Sequence, residues 1–209
     1  MASAKSDKTR LLTGDRPTGA LHLGHLVASL RQRVALQDEY ECFNIIADLH
    51  TLTTRPKAEE IRGLPKSVRE MVVDLLSVGI DPERTVIYLQ SGVPAVYDLA
   101  ILLQMLVPSE RLQRLDSVRD MAEAAGQRDA MSLGLLAYPV LQAADILMAQ
   151  AEVIPVGGDN LAHIEVAHEL AGRFNELYGS LFALPEARVS RTPLLPGIDP
   201  GDGPGVKMS

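Results

Sequence analysis

His22-Leu-Gly24-His25 places two imidazoles three residues apart, and Gly14 and the turn Arg16-Pro17-Thr18-Gly19 lie just before them. At the start of a helix the first backbone N–H groups have no intrahelical partner and the helix dipole is positive, so such a segment attracts anions. Gly24, with no Cβ, lets an adenine ring approach the backbone closely. The two histidines are placed to hydrogen-bond phosphates and stabilise charge on a group in transfer. The chemistry this suggests is nucleotide binding. Two plainer readings compete with it: a polar strand-to-helix loop with incidental histidines, and a metal site that lacks an obvious third ligand nearby.

A second candidate is Asp145, set in the apolar run Ala143 to Met148. An unpaired charge there would be costly, which favours a functional carboxylate over an ordinary surface one. His163, Glu165, His168 and Glu169 suggest a metalloprotease helix, but Gly172 stands where the second histidine of that motif should be. His163 and His168 lie about 140° apart around a helix, so they cannot share one metal. No GxxxxGK[ST] run occurs, and Gly201-Asp-Gly-Pro-Gly205 fails the GxGxxG pattern and follows no strand. No metal site is expected.

The elements that must position these residues alternate. Strands are expected at about Thr9 to Thr13, Cys42 to Ala47, Thr85 to Leu89 and Glu152 to Val156. Helices are expected from Leu26 to about Asp38, around Val68 to Leu76 with Pro65 in or before the first turn, from Val96 to Val107, from Leu133 to Met148 with a break near Pro139, and from Leu161 to Tyr178. Gly79 would stop the second of these. A polar stretch from Ser109 to Asp129 separates the halves, and the Gly- and Pro-dense segment Leu195 to Val206 reads as a loop. The fold class is α/β, a parallel sheet wrapped by helices.

At 209 residues, 46% hydrophobic and 22% charged, the chain can bury one sizeable core, and 4% aromatics with no Trp make that core aliphatic. The net charge of -7 gives no chain-wide attraction to phosphate, so a nucleic-acid contact needs a local basic patch. The single cysteine, Cys42, excludes an internal disulfide and fits a reducing compartment. The polar start, Met1 to Arg10, lacks a signal-type apolar region and no run approaches the roughly 20 apolar residues of a membrane span. A cytoplasmic address without membrane association is expected.

Four ordered segments carry a family resemblance. Leu12-Thr13-Gly14, Pro17-Thr18-Gly19 and His22-Leu-Gly24-His25 resemble the HIGH region of class I aminoacyl-tRNA synthetases, Lys207-Met208-Ser209 resembles the opening of their KMSKS loop, and Val156-Gly157-Gly158-Asp159-Asn160 resembles the VGxDQ segment of the tryptophan and tyrosine members. Along nearly its whole length the chain most resembles the bacterial tryptophan branch, through Ala47-Asp48-Leu-His50, Gly79-Ile-Asp-Pro82, Gln90-Ser91 and Ala143-Ala144-Asp145-Ile146-Leu147. The tyrosine branch shares Tyr138-Pro139, Gln142 and Asp145 and is the alternative, with a non-tRNA adenylating relative behind it.

This resemblance implies a Rossmann-like catalytic domain over residues 1–209, a homodimer, and the substrates ATP with Mg, tryptophan and tRNA(Trp). It implies phosphate and ATP contacts from Gly14, Arg16, Thr18, His22, Gly24, His25, Lys207 and Met208, and a ribose contact from Asp159. It also implies that Tyr138 and Asn160 hold the amino acid's α-amino group, that Asp145 accepts the indole N–H, and that Leu12, His50 and Gln142 line that pocket. The chain departs from the bacterial pattern at Gln142, Asn160, Leu12 and Arg16. The family's phosphate-binding lysine between Ser109 and Asp129 has no clear counterpart, with Arg119 the candidate stand-in. Because the chain ends before the second lysine of the loop and before a helical anticodon-binding domain, weak or absent tRNA charging is expected of these residues alone.

Overall fold

The computed structural model describes residues 8–157 and 161–189. Five strands form one parallel sheet: β1 (Arg10–Asp15), β2 (Glu41–Ile46), β3 (Thr85–Leu89), β4 (Val153–Val156) and β5 (Glu186–Val189), in the order β3-β2-β1-β4-β5. The chain therefore winds outward from β1 to β3, then crosses back to the other side of β1. Between β1 and β4 lies the switch point, where doubly wound sheets bind ligands at the carboxyl ends of their strands.

Helices cover both faces. One side carries α1 (Leu23–His25), which continues through a π-turn (Leu26–Leu30) into α2 (Arg31–Leu36), and α4 (Ala58–Ser77), packed through Leu30, Ile46, Met71, Leu75 and Ile80. The larger core lies on the other side, under α5 (Ala95–Gln104), α6 (Ser109–Gln113), α7 (Asp116–Ala124), α8 (Leu133–Met148) and α9 (Leu161–Tyr178). A short helix α3 (Asp48–Leu52) follows β2 directly. Leu11, Leu12 and Thr13 are buried in succession, as expected of a strand covered on both faces.

Several expectations are corrected. The helix after the first strand begins at Leu23, inside the histidine motif, rather than at Leu26. Pro65 sits well inside α4 instead of at its first turn, because the helix starts at Ala58 with Glu59 and Glu60 favourably placed near its positive end. Those first turns are largely exposed, so they carry no apolar rhythm. Pro139 does not interrupt α8: burial of Leu135, Val140 and Ala143 on packed neighbours holds the helix across the missing N–H. The stretch from Ser109 to Asp129 holds two short helices, and strand β5 was not foreseen. The loop expected from Leu195 to Val206 lies outside the described residues.

Candidate active site

The carboxyl end of β1 builds the first half of the site. Gly14 pairs with Ile45 of β2, and a Cβ on Gly14 would stand 2.2 Å from Ile45 Cγ2 and 2.8 Å from its carbonyl oxygen. Strand packing alone thus requires glycine there. Next to it Asp15 is paired with Arg33 of α2 through both carboxylate oxygens, and Arg33 also reaches Asn44, which bonds Thr13 at 2.9 Å. Burial works against an ionised Asp15, but the charge and hydrogen bonds of Arg33, with His25 nearby, outweigh it and hold the carboxyl below its ordinary range.

His22 caps α1: its Nδ1 accepts the Gly24 N–H at 3.1 Å, while His25 Nδ1 accepts the His22 N–H at 3.2 Å. The two rings lie 4.0 Å apart. The motif therefore satisfies part of its own helix start, where free N–H groups were expected. Since both Nδ1 atoms accept, a neutral ring carries its proton on Nε2, the donor a phosphate oxygen requires.

Arg16 Nη1 donates to Thr54 Oγ1 at 3.2 Å, and Arg55 Nη1 donates to the carbonyl of Thr18 at 3.1 Å. Burial, and then the charge of Arg55, lower the pKa of Arg16 against an opposing contribution from Tyr138. Two guanidiniums thus approach one turn, an arrangement that an anion would relieve. A cavity of about 250 Å³ opens beside them, lined by Pro17, Thr18, Thr51, Arg55 and residues of α4. Arg55 was not foreseen from the sequence, where Thr-Thr-Arg-Pro has no distinguishing pattern.

The second half is buried. Asp145 on α8 is 3% exposed, and its Oδ2 receives the Gln90 side-chain amide at 2.7 Å and lies 3.1 Å from His50 Nε2. Its Oδ1 has no hydrogen-bond partner among the described residues, and neither does the buried hydroxyl of Tyr88. Burial pushes the Asp145 carboxyl up, and the bonds from His50 and Gln90 oppose that rise. Tyr88, raised by burial and by the Asp145 charge, stays a neutral phenol.

Tyr138 joins the halves. Its hydroxyl lies 2.8 Å from His163 Nε2, its ring meets His50 edge-on at 6.3 Å, and its pKa is raised by burial against Ser117 and Arg16. His163, weighed from the sequence only as a metal ligand, is a buried partner of Tyr138 and Ser117.

Of the remaining foreseen residues, His50 is buried at this site and Gln142 is half-buried on α8, one turn before Asp145. Leu12 is part of the main core and Gly24 is buried in α1. Arg119 is exposed and pairs with Asp116 on its own helix. Asp159, Asn160, Lys207 and Met208 lie outside the described residues.

A family profile described as tRNA synthetases class I (W and Y) matches residues 4–209. A tryptophan–tRNA ligase of Treponema pallidum is 55% identical over 91% of this chain and 56% of its own length, and one of Borreliella burgdorferi is 52% identical over 90% and 54%. Among solved structures, a tryptophanyl-tRNA synthetase of Campylobacter jejuni complexed with ADP and tryptophan superposes with a TM-score of 0.84 at 37% identity, covering 96% of this chain and 60% of that one. The chain spans little more than half the length of these curated relatives.

Proposed function

This chain belongs to the class I tRNA synthetases of the tryptophan and tyrosine group, and from that premise we propose that it is the ATP- and amino-acid-binding part of a tryptophan–tRNA ligase. In the reaction a carboxylate oxygen of tryptophan attacks the α-phosphorus of ATP, and the bond to the bridging oxygen of pyrophosphate breaks. Tryptophanyl-adenylate and pyrophosphate result. The acyl group then passes to the terminal adenosine of tRNA(Trp), releasing AMP.

The observation that carries the assignment to an amino acid with a side-chain donor is Asp145, and the similarity to curated tryptophan–tRNA ligases favours tryptophan over tyrosine. Its Oδ2 is taken by Gln90 and His50, while Oδ1 is a buried acceptor without a protein partner among the described residues. An indole N–H satisfies such an atom, whereas a side chain without a donor leaves it unpaired at a cost of about 1–3 kcal/mol. Tyr138, with Asn160, would hold the α-amino group, and His50, Leu12 and Gln142 would wall the pocket.

Chemistry at phosphorus asks the protein for position and charge. Arg16, Thr18, His22 and His25 would meet the phosphates, joined by Lys207 and Met208, with Gly14 and Gly24 under the nucleotide and Asp159 at its ribose. Among the described residues no cluster of three or more His, Cys, Asp or Glu could hold a metal. Mg accompanying ATP would offset the charge of its phosphates.

The proposed homodimer is supported by an apolar surface on α5 and the start of α8, where Ile101, Leu102, Met105 and Leu133 are 51% to 76% exposed. Among the described residues no helix is long and apolar enough to cross a membrane; the cytoplasmic address is proposed on the family resemblance.

Amino-acid-dependent ATP–pyrophosphate exchange, on this chain and on one extended through its natural C-terminus, tests the assignment. Exchange with tryptophan alone is expected. Gln142 could bond a phenol, so exchange with tyrosine alone would give the chain to the tyrosine branch, and silence in both proteins would point to an adenylating relative with another substrate.

A further inference from the structure

We propose that Gln90 is the positioning residue that fixes the orientation of the Asp145 carboxylate, leaving one oxygen for the amino acid, and so sets the preference for a side chain that carries an N–H donor. The inference rests on the tryptophan assignment above.

Gln90 is 1% exposed, the first residue beyond β3, in a 3-10 turn (Gln90–Gly92) at the carboxyl edge of the sheet. Its amide has one orientation. Oε1 lies 3.4 Å from the backbone N–H of His50 and accepts from it, which turns the Nε2 donor toward Asp145. That backbone N–H belongs to the first turn of α3, where N–H groups lack intrahelical partners. The turn is pinned to α3 a second time, since the Ser91 N–H donates to Asp48 Oδ1 at 3.0 Å. A relay of fixed groups thus runs from the backbone of α3 through Gln90 to Asp145.

The consequence is an asymmetric carboxylate. A lone aspartate could turn freely about χ2, but the Gln90 donor and His50 both engage one oxygen, Oδ2, and so fix the plane of the carboxylate. Gln90 is the member whose direction does not vary, because the role of His50 Nε2 depends on its tautomer. With Oδ2 held, Oδ1 is presented as a preorganised acceptor, and the site need not order that group when substrate arrives.

Pyrophosphate exchange in the full-length protein tests this with tryptophan and with β-(1-benzothiophen-3-yl)alanine, in which sulfur replaces the indole N–H. The unsubstituted protein is expected to prefer tryptophan strongly. Gln90→Met keeps the volume and removes the donor. It is expected to lower that preference by about ten-fold or more through KM for tryptophan, with KM for ATP within about two-fold. Gln90→Glu keeps the acceptor for His50 but sets a second carboxylate against Asp145, and is expected to lose at least as much. It decides the matter if the methionine variant does not fold. A preference unchanged within about two-fold in the folded variants overturns the inference, as does a uniform loss for both amino acids and ATP. No exchange with tryptophan in the unsubstituted protein overturns the tryptophan assignment itself, and this inference with it.

Discussion

The hydroxyl of Tyr138 and Nε2 of His163 lie 2.8 Å apart, with the rings edge to face at 5.1 Å, and Ser117 Oγ stands 2.6 Å from the same nitrogen. One ring nitrogen of α9 therefore orients the tyrosine of α8 that spans the two halves of the site. His163→Gln, which keeps a polar atom near the Nε2 position, should raise KM for tryptophan only a few-fold. His163→Ala should raise it by about ten-fold, the scale of one lost hydrogen bond. Steady-state pyrophosphate exchange measures both; equal KM values in the two variants would sink the orienting role.

Asp145→Asn changes no shape but reverses one donor. The amide oxygen is the atom that Gln90 Nε2 can bond, so the new NH2 would take the place of Oδ1, the acceptor proposed for the indole N–H. Tryptophan binding should fall by about 100-fold or more while ATP binding is kept. Burial raises the folded-state pKa of this carboxyl. Ionising it therefore costs stability as pH rises through that value, and Asp145→Asn should flatten this part of the stability profile. Calorimetry at successive pH values above the ordinary carboxylate value of 3.8 measures the difference.

Asp15 behaves oppositely. Although burial opposes its ionisation, Arg33 and then His25 lower its folded-state pKa below the unfolded value of about 3.9. Its contribution is full above that pH and disappears as the pH falls through the folded value. Arg33→Met should abolish this acid-side loss and leave Asp15 half-shielded without its partner. A cost of about 2–4 kcal/mol at neutral pH is expected by denaturant unfolding. An unchanged acid limb would contradict the pairing.

Gly14→Ala should cost about 1–3 kcal/mol, since its Cβ meets the Ile45 carbonyl as well as a side chain and the parallel pairing allows little retreat. Gly63→Ala, where a Cβ meets nothing within 4 Å, is the control and should be neutral or stabilising. Urea unfolding of the two variants separates a packing requirement from a general intolerance of alanine.

Met105→Glu should shift the protein toward monomer in sedimentation experiments, because Met105, at the end of α5, is 74% exposed close in sequence to the exposed Ile101 and Leu102. An unsubstituted protein that sediments as a monomer at micromolar concentration would remove the dimer proposal.

Much of the architecture is local and was legible in linear order. Thr85–Leu89 and Leu161–Tyr178 have the bounds read from apolar pattern, because a β-branched run favours extended backbone and a helix satisfies its own backbone hydrogen bonds. The histidine motif after a strand and a buried-looking Asp145 in an apolar run likewise announced themselves by residue type. Strand β5 did not: Glu186–Val189 is a short edge strand without alternation, and only its pairing with β4 makes it one. Nor did Pro139, whose local preference for a break is overruled by burial from neighbours distant in sequence.

The partners of each polar group were decided by the tertiary structure alone. Gln90 and Asp145 are 55 residues apart, His50 and Asp145 95, and Ser117 and His163 46. Residue type announces that a group can donate or accept, but hydrogen bonds act over about 3 Å, and only the closed sheet with its packed helices brings such groups within that reach. The sequence by itself determined the alternating fold and the presence of nucleotide-type chemistry. How the Asp145 carboxylate is held follows from the three-dimensional meeting of α3, the turn after β3, and α8.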